Sequence, residues 1–171
     1  NPGPGVGGHC LAVDPWFIVE ASENLANIIK LSRQTNDSMP QYVFDKIEKL
    51  TKDIQGSKKI SILGMTYKND IDDIRESPIV QLVDILKENN YEVSIYDPYV
   101  REYENLEKNL INCVKDSDLV VLGVDHCVFE NIRYEDVYEA MKGKIILDTR
   151  KFLDEDKVKE IGFIYKLLGN D

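Results

Sequence analysis

Apolar positions repeat with helical spacing over the first third of the chain. From about Pro15 to Thr35, Phe17, Ala21, Leu25, Ile28 and Ile29 fall near one side, with Ser32 continuing the row. Asn36, Asp37 and Ser38 interrupt it with residues suited to capping, and Pro40 suits the first turn of a second helix. That helix carries Val43, Ile47, Leu50 and Ile54, a 4-3-4 seam that packs either on a second subunit or on the rest of its own chain. Gln55-Gly56-Ser57 then punctuates the sequence, and the period changes. Lys59–Leu63 reads as a strand, Pro78–Asn89 as a helix with Ile79, Leu82, Val83 and Leu86 inward, and Tyr91–Tyr96 as a strand closed by Asp97-Pro98. Leu119–Val124 is a continuous apolar run, as in a strand buried on both faces. Tyr134–Met141 reads as a helix and Lys144–Asp148 as a further buried strand. Such alternation predicts an α/β chain: a helical segment (residues 1–54), then a Rossmann-like, doubly wound parallel sheet domain (residues 55–171).

Composition narrows the classes. A hydrophobic content of 43% is ordinary for a globular chain, and no apolar run approaches the ~18 residues of a membrane span. No signal peptide pattern is visible. A net charge of −10 argues against nucleic acid as partner, since phosphate binding needs a basic face. Cys10, Cys113 and Cys127 are odd in number and form no CxxC, which disfavours disulfides and zinc and suits a reducing cytoplasm. His9 and His126 are too few for a histidine-based metal centre, and Asp72-Asp73 reads as a solvated turn, so no metal is expected.

Candidate chemistry concentrates in NPGPGVGGHCLAVDPW, residues 1–16. Gly3, Gly5, Gly7 and Gly8 leave the backbone bare enough for close approach to a ligand. Cys10 follows them, near the positive end of the coming helix, where a thiol becomes a good nucleophile; Asp14 lies four residues on. Gly3, Gly5 and Gly8 also spell G-x-G-x-x-G, but Pro4 sits inside it, only Asn1 and Pro2 precede it, and the residues around Glu23 read as helix. The dinucleotide reading of the loop is therefore rejected. In a doubly wound sheet, ligands sit beyond the strands' carboxyl ends, where Lys68, Arg75 and Arg150 would converge to suit an anionic group; pairing with Asp72, Asp73 or Asp148 is the alternative. Trp16 and Phe17 read as core anchors, His9 as a loop-orienting hydrogen bonder, His126 as a sheet-edge cap, and Cys113 and Cys127 as buried or partly buried thiols.

The segment PGPGVGGHCLAVDPWF, the sequence Thr35-Asn36-Asp37-Ser38-Met39-Pro40 and the segment GMTYKNDIDDIRESP together resemble the UDP-glucose/GDP-mannose dehydrogenase family. The wording GGHCLAVDPWF is most similar to the branch acting on UDP-N-acetyl-D-mannosamine. The resemblance implies oxidation of a sugar C6 alcohol to a carboxylate in two NAD-dependent hydride transfers, through a cysteine thiohemiacetal and thioester. It implies Cys10 as nucleophile and Asp14 as the carboxylate that activates or positions water. Gly7, Gly8 and His9 would lie over the sugar, Tyr67 and Lys68 would contact the sugar nucleotide, Arg75 would meet the cofactor phosphates, and Arg150 would line the same cleft. It further implies an upstream NAD-binding domain that this chain lacks, so that the chain alone should be inactive, and a homodimer built by the helices of residues 15–54. Asn1 stands where sugar-oxidising relatives often carry Arg. UDP-N-acetylglucosamine or UDP-glucose as substrate, and a non-catalytic nucleotide-sugar-binding module, remain open.

Overall fold

The computed structural model describes residues 3–170. Three helices come first: α1 (His9–Ala21), α2 (Asn27–Asp37) and α3 (Met39–Thr51). Strand β1 (Lys59–Leu63), helix α4 (Pro78–Glu88) and strand β2 (Glu92–Tyr96) follow, then α5 (Leu110–Val114), β3 (Leu119–Leu122), α6 (Tyr134–Ala140), β4 (Ile145–Asp148), α7 (Glu155–Ile161) and β5 (Ile164–Leu167). The five strands form one parallel sheet in the order β2-β1-β3-β4-β5. The expected helical segment and doubly wound α/β sheet are therefore both present.

Strand alternation sorts the core into two layers. Ile60 and Ile62 of β1, Leu119 and Val121 of β3, and Leu147 of β4 face α3 and α4, where Val43, Phe44, Ile47, Ile79, Leu82, Val83 and Leu86 close the layer. Leu63, Val120, Leu122 and Ile146 face the opposite way, toward Val114 of α5, Val137 of α6 and Val158 of α7. All four residues of β3 are at most 1% exposed, which accounts for its unbroken apolar run. Helix α4 starts where Ser77 Oγ accepts the Ile79 amide at 3.2 Å with Pro78 in the first turn, and α7 stops at Gly162 in the left-handed region.

The helical segment departs from its sequence reading at α1 and at Phe17, and decides between the two partners left open for the α3 seam. Helix α1 begins at His9 and carries Pro15 inside it, so the first predicted helix starts six residues early; it is then broken over Ser22–Ala26. The seam on α3 is covered by the chain itself, with Val43 and Ile47 fully buried in the layer against α4. An exposed apolar face lies on α1, α2 and the turn between them, where Leu11, Phe17, Ile18, Leu25, Ile28 and Leu31 are 53–88% exposed. Phe17 is thus no core anchor, whereas Trp16 is half-buried.

The carboxyl ends of β1 and β3 meet through two glycines. A Cβ on Gly123 would lie 2.6 Å from the Gly64 carbonyl oxygen, a backbone atom that cannot step aside cheaply. Gly123→Ala should therefore destabilise the fold by about 1–3 kcal/mol, read as a lower urea midpoint at unchanged m-value.

Candidate functional site

Strand order reverses between β1 and β3, so the connections leaving these two strands diverge and open a crevice at the sheet's carboxyl edge. The glycine loop 3–8 is laid against that edge. A Cβ on Gly8 would stand 2.9 Å from the Tyr67 ring, one on Gly7 2.1 Å from the Glu76 carbonyl oxygen, and one on Gly3 2.6 Å from Arg150 Nη1. Gly8 also takes φ +92°, open to glycine and strained for other residues. On the other side, the Asn36 side chain accepts the Val6 amide at 2.7 Å and donates to the Val6 carbonyl at 3.0 Å. A residue read as a helix break in the sequence thus ends up inside α2, with its amide completing the loop's hydrogen bonding.

This docking starts α1 immediately at the crevice. Cys10 lies in the first turn of α1 and is exposed, and Asp14 stands one turn further along the same face, also exposed. His9 is exposed, while Gly7 and Gly8 are buried beneath Glu76 and Tyr67. Tyr67 is half-buried against Gly8, and Lys68 is exposed, its carbonyl accepting the Thr66 hydroxyl at 2.7 Å.

Two of the three cations expected to form an anion site are already engaged. Arg75 reaches back to Asp73 through Nε at 3.0 and 3.1 Å and through Nη2 at 2.7 Å. That pairing raises the Arg75 pKa and holds the Asp73 carboxyl below its usual range; Arg75 also lies within electrostatic reach of Tyr67 and Cys10. Arg150 Nε donates to the Gly123 carbonyl at 3.2 Å and sits 3.6 Å from Asp125, a partner the sequence did not suggest. Burial lowers its pKa, which Asp125 offsets only in part. Asp148, one of the suggested partners, accepts the Arg150, Phe152 and Leu153 amides instead. Among the described residues no cluster of three His, Cys, Asp or Glu could hold a metal ion, and no helix is long and apolar enough to cross a membrane.

One group of residues was missed as a group. His126 is fully buried at the end of β3, with Nδ1 accepting the Asp70 amide at 2.9 Å and Nε2 facing Asp97 Oδ2 at 3.1 Å. Burial alone would raise the Asp97 pKa, but hydrogen bonds from His126, Met65 and Tyr99 outweigh it and hold the carboxyl below its usual range. Both residues follow strands, the positions sequence reasoning picks out, but their pairing spans 29 residues and leaves no local signal.

A concavity of about 600 Å³ between Phe129, Tyr134, Phe152 and Val158 contains none of the candidate residues. A smaller one of about 220 Å³ lies behind the docked loop, lined by Val6, Trp16, Arg33, Asn36 and Glu76. Size alone would favour the first; the second adjoins the loop that carries the thiol, and the docked loop is the stronger guide.

A sequence model described as the UDP-glucose/GDP-mannose dehydrogenase family, UDP binding domain, matches residues 61–155. The chain belongs to this family. It is 45% identical over 174 residues to a UDP-N-acetyl-D-mannosamine dehydrogenase of Methanococcus aeolicus, covering 99% of this chain and 40% of that protein. Among solved structures, the UDP-N-acetyl-D-mannosamine dehydrogenase of Pyrococcus horikoshii superposes with a TM-score of 0.88 at 32% identity, and the S. aureus UDP-N-acetyl-mannosamine dehydrogenase with 0.84 at 40%. Each comparison covers 99% of this chain and 40% of the solved one. The chain thus spans about two fifths of the length of these relatives. Within this family chain, the stretch matching the UDP binding domain holds Tyr67, Lys68, Arg75 and Arg150, while Cys10 and Asp14 lie ahead of it on the docked loop and helix.

The three thiols occupy different surroundings. Burial pushes the Cys113 thiol up to about 11, and its side chain is inaccessible. Cys127 is exposed, contrary to its sequence reading, and its hydrogen bond with Asp70 raises its pKa. A thiol-disulfide reagent at neutral pH should label Cys10 and Cys127 in the native protein and leave Cys113 untouched until denaturant is added. Mass mapping of the labelled peptides reads the outcome.

Proposed function

We propose that the complete gene product oxidises UDP-N-acetyl-D-mannosamine to UDP-N-acetyl-D-mannosaminuronate with two NAD+. The observation that carries this reading is the seating of Cys10 and Asp14 on one face of α1, at the mouth of the crevice where a UDP-binding fold takes its ligand. The relatives named above share the substrate in their names and match 99% of this chain.

NAD, when bound, accepts the hydride in each of the two oxidations. The chain's own fit to it is slight: Arg75 offers an exposed guanidinium, but Asp73 already holds Nε and Nη2. The G-x-G-x-x-G loop is turned onto Tyr67, Glu76 and Arg150, not toward a strand–helix dinucleotide cradle. The main NAD site therefore belongs to sequence outside this chain, and the chain alone is inactive. Residues 1–54 supply the cysteine loop and central helices, and residues 55–171 the UDP-sugar domain.

Chemically, the Cys10 sulfur adds to the C6 aldehyde produced by the first oxidation, and the carbonyl oxygen takes up a proton to give a thiohemiacetal. Loss of the remaining C6 hydrogen as hydride, together with the hydroxyl proton to water, gives a thioester. Water, held and deprotonated with help from Asp14, attacks the thioester carbonyl and releases the carboxylate and the thiol. Gly7, Gly8 and His9 lie over the sugar, Tyr67 and Lys68 contact the sugar nucleotide, and Arg150 lines the same cleft. The exposed apolar residues of α1 and α2 are covered by a second subunit, making a homodimer through the central helices, and the enzyme works in the cytoplasm with its thiol reduced.

The complete gene product should release two NADH per UDP-N-acetyl-D-mannosamine. Cys10→Ala should abolish turnover, and Asp14→Asn should lower it by about a hundredfold. Preferred turnover of UDP-N-acetylglucosamine or UDP-glucose would move the substrate assignment and keep the mechanism. Turnover of none of the three would contradict an oxidative function.

A further inference from the structure

Helix α1 and the glycine loop are only one wall of the crevice; the other is residues 65–70, which carry Tyr67 and Lys68. This wall has no regular secondary structure to hold it. The Tyr67 amide donates to the Asp73 carbonyl at 3.1 Å, and the two ends of the segment are held by a buried polar group that follows β2 and β3. Asp97 Oδ2 accepts the Met65 amide at 2.7 Å, and His126 Nδ1 accepts the Asp70 amide at 2.9 Å, so both ends of the segment are fixed. Because Nδ1 is an acceptor, the neutral ring carries its proton on Nε2 and donates it to Asp97 at 3.1 Å. Thr66 Oγ1 lies 3.4 Å from the same nitrogen while donating to the Lys68 carbonyl, which folds the segment over its own middle.

A second tie secures the far end. Tyr99 Oη donates to Asp70 Oδ1 at 3.1 Å and the Cys127 amide donates to the same oxygen at 2.9 Å. Asp70 itself takes φ +58°, a left-handed conformation that needs such over-determination. The imidazole is packed between the Tyr99 and Phe129 rings, with centroids 4.9 and 5.3 Å away, so it has no room to swing.

We infer that His126 and Asp97, with Tyr99, are positioning residues for sugar-nucleotide binding: they hold residues 65–70 so that Tyr67 and Lys68 face the ligand. They touch neither the sugar nor the thiol. This inference rests on the proposed function, since the affinity it governs is that for the sugar nucleotide.

Steady-state kinetics of the complete gene product test it. Tyr99→Phe removes one hydroxyl from a half-exposed ring; His126→Asn keeps an acceptor for the Asp70 amide but loses the donor to Asp97; His126→Ala loses both. Tyr99→Phe and His126→Asn should each raise KM for the sugar nucleotide about fivefold, and His126→Ala should raise it further, with kcat within about twofold and KM for NAD unchanged. A residue that only supports the fold would lower kcat through a smaller active fraction at unchanged KM. Wild-type turnover with unchanged sugar-nucleotide KM in Tyr99→Phe and His126→Asn overturns this inference alone. Absence of wild-type turnover overturns the functional reading together with it.

Discussion

Everything at this site depends on how closely the backbone of residues 3–8 approaches the sheet's carboxyl edge. Side chains at Gly7 or Gly8 would meet the Glu76 carbonyl or the Tyr67 ring inside van der Waals contact, so only glycine lets the loop lie flat there. Asn36 satisfies both polar groups of Val6 from the opposite side, and α1 then begins at His9 with the thiol in its first turn. Loop, helix and crevice are one arrangement. The sheet supplies a firm base for it, because β1 and β3 are buried on both faces and their ends are locked by the Gly64–Gly123 contact.

Electrostatics refine this arrangement without dominating it. The chain is acidic overall, and cations near the crevice are held by local carboxylates: Arg75 by Asp73, Arg150 beside Asp125. Pairing limits what these groups offer an anionic ligand but fixes where they stand, and a fixed guanidinium loses little freedom when a ligand arrives. The buried Asp97–His126 pair has the same character: its hydrogen bonds hold the Met65 and Asp70 amides at the two ends of a segment that has no regular secondary structure.

Long periodic elements were legible in the sequence because they are amphipathic or wholly apolar over enough residues. Helix α4 and strands β1, β2, β3 and β4 fall where the pattern puts them, and so does the parallel doubly wound sheet. Helix α5 (five residues), α7 (seven) and the edge strand β5 (four) escaped notice, since each is too short to show a period. The start of α1 was hidden by Pro15, which reads as a first-turn residue yet lies within the helix. The face of α1 and α2 misled for another reason: periodicity shows that an apolar stripe wants cover, not what covers it, and here the stripe on α3 is buried while that on α1 and α2 is open. At the site, the thiol, its loop and the strand-end residues could be picked out singly. Their mutual contacts, such as Asn36 with Val6 across 30 residues or His126 with Asp70 across 56, depend on the fold and leave no mark in local sequence.

The most direct test of the central claim is calorimetric titration of UDP into the complete gene product and its Gly8→Ala variant. A methyl group at Gly8 would stand 2.9 Å from the Tyr67 ring at a backbone angle strained for alanine, displacing the loop from the crevice. If the crevice beneath the docked loop is the nucleotide site, UDP binds the wild type and binds Gly8→Ala at least about fivefold more weakly. Equal affinity in the two proteins would place the nucleotide elsewhere and contradict the account.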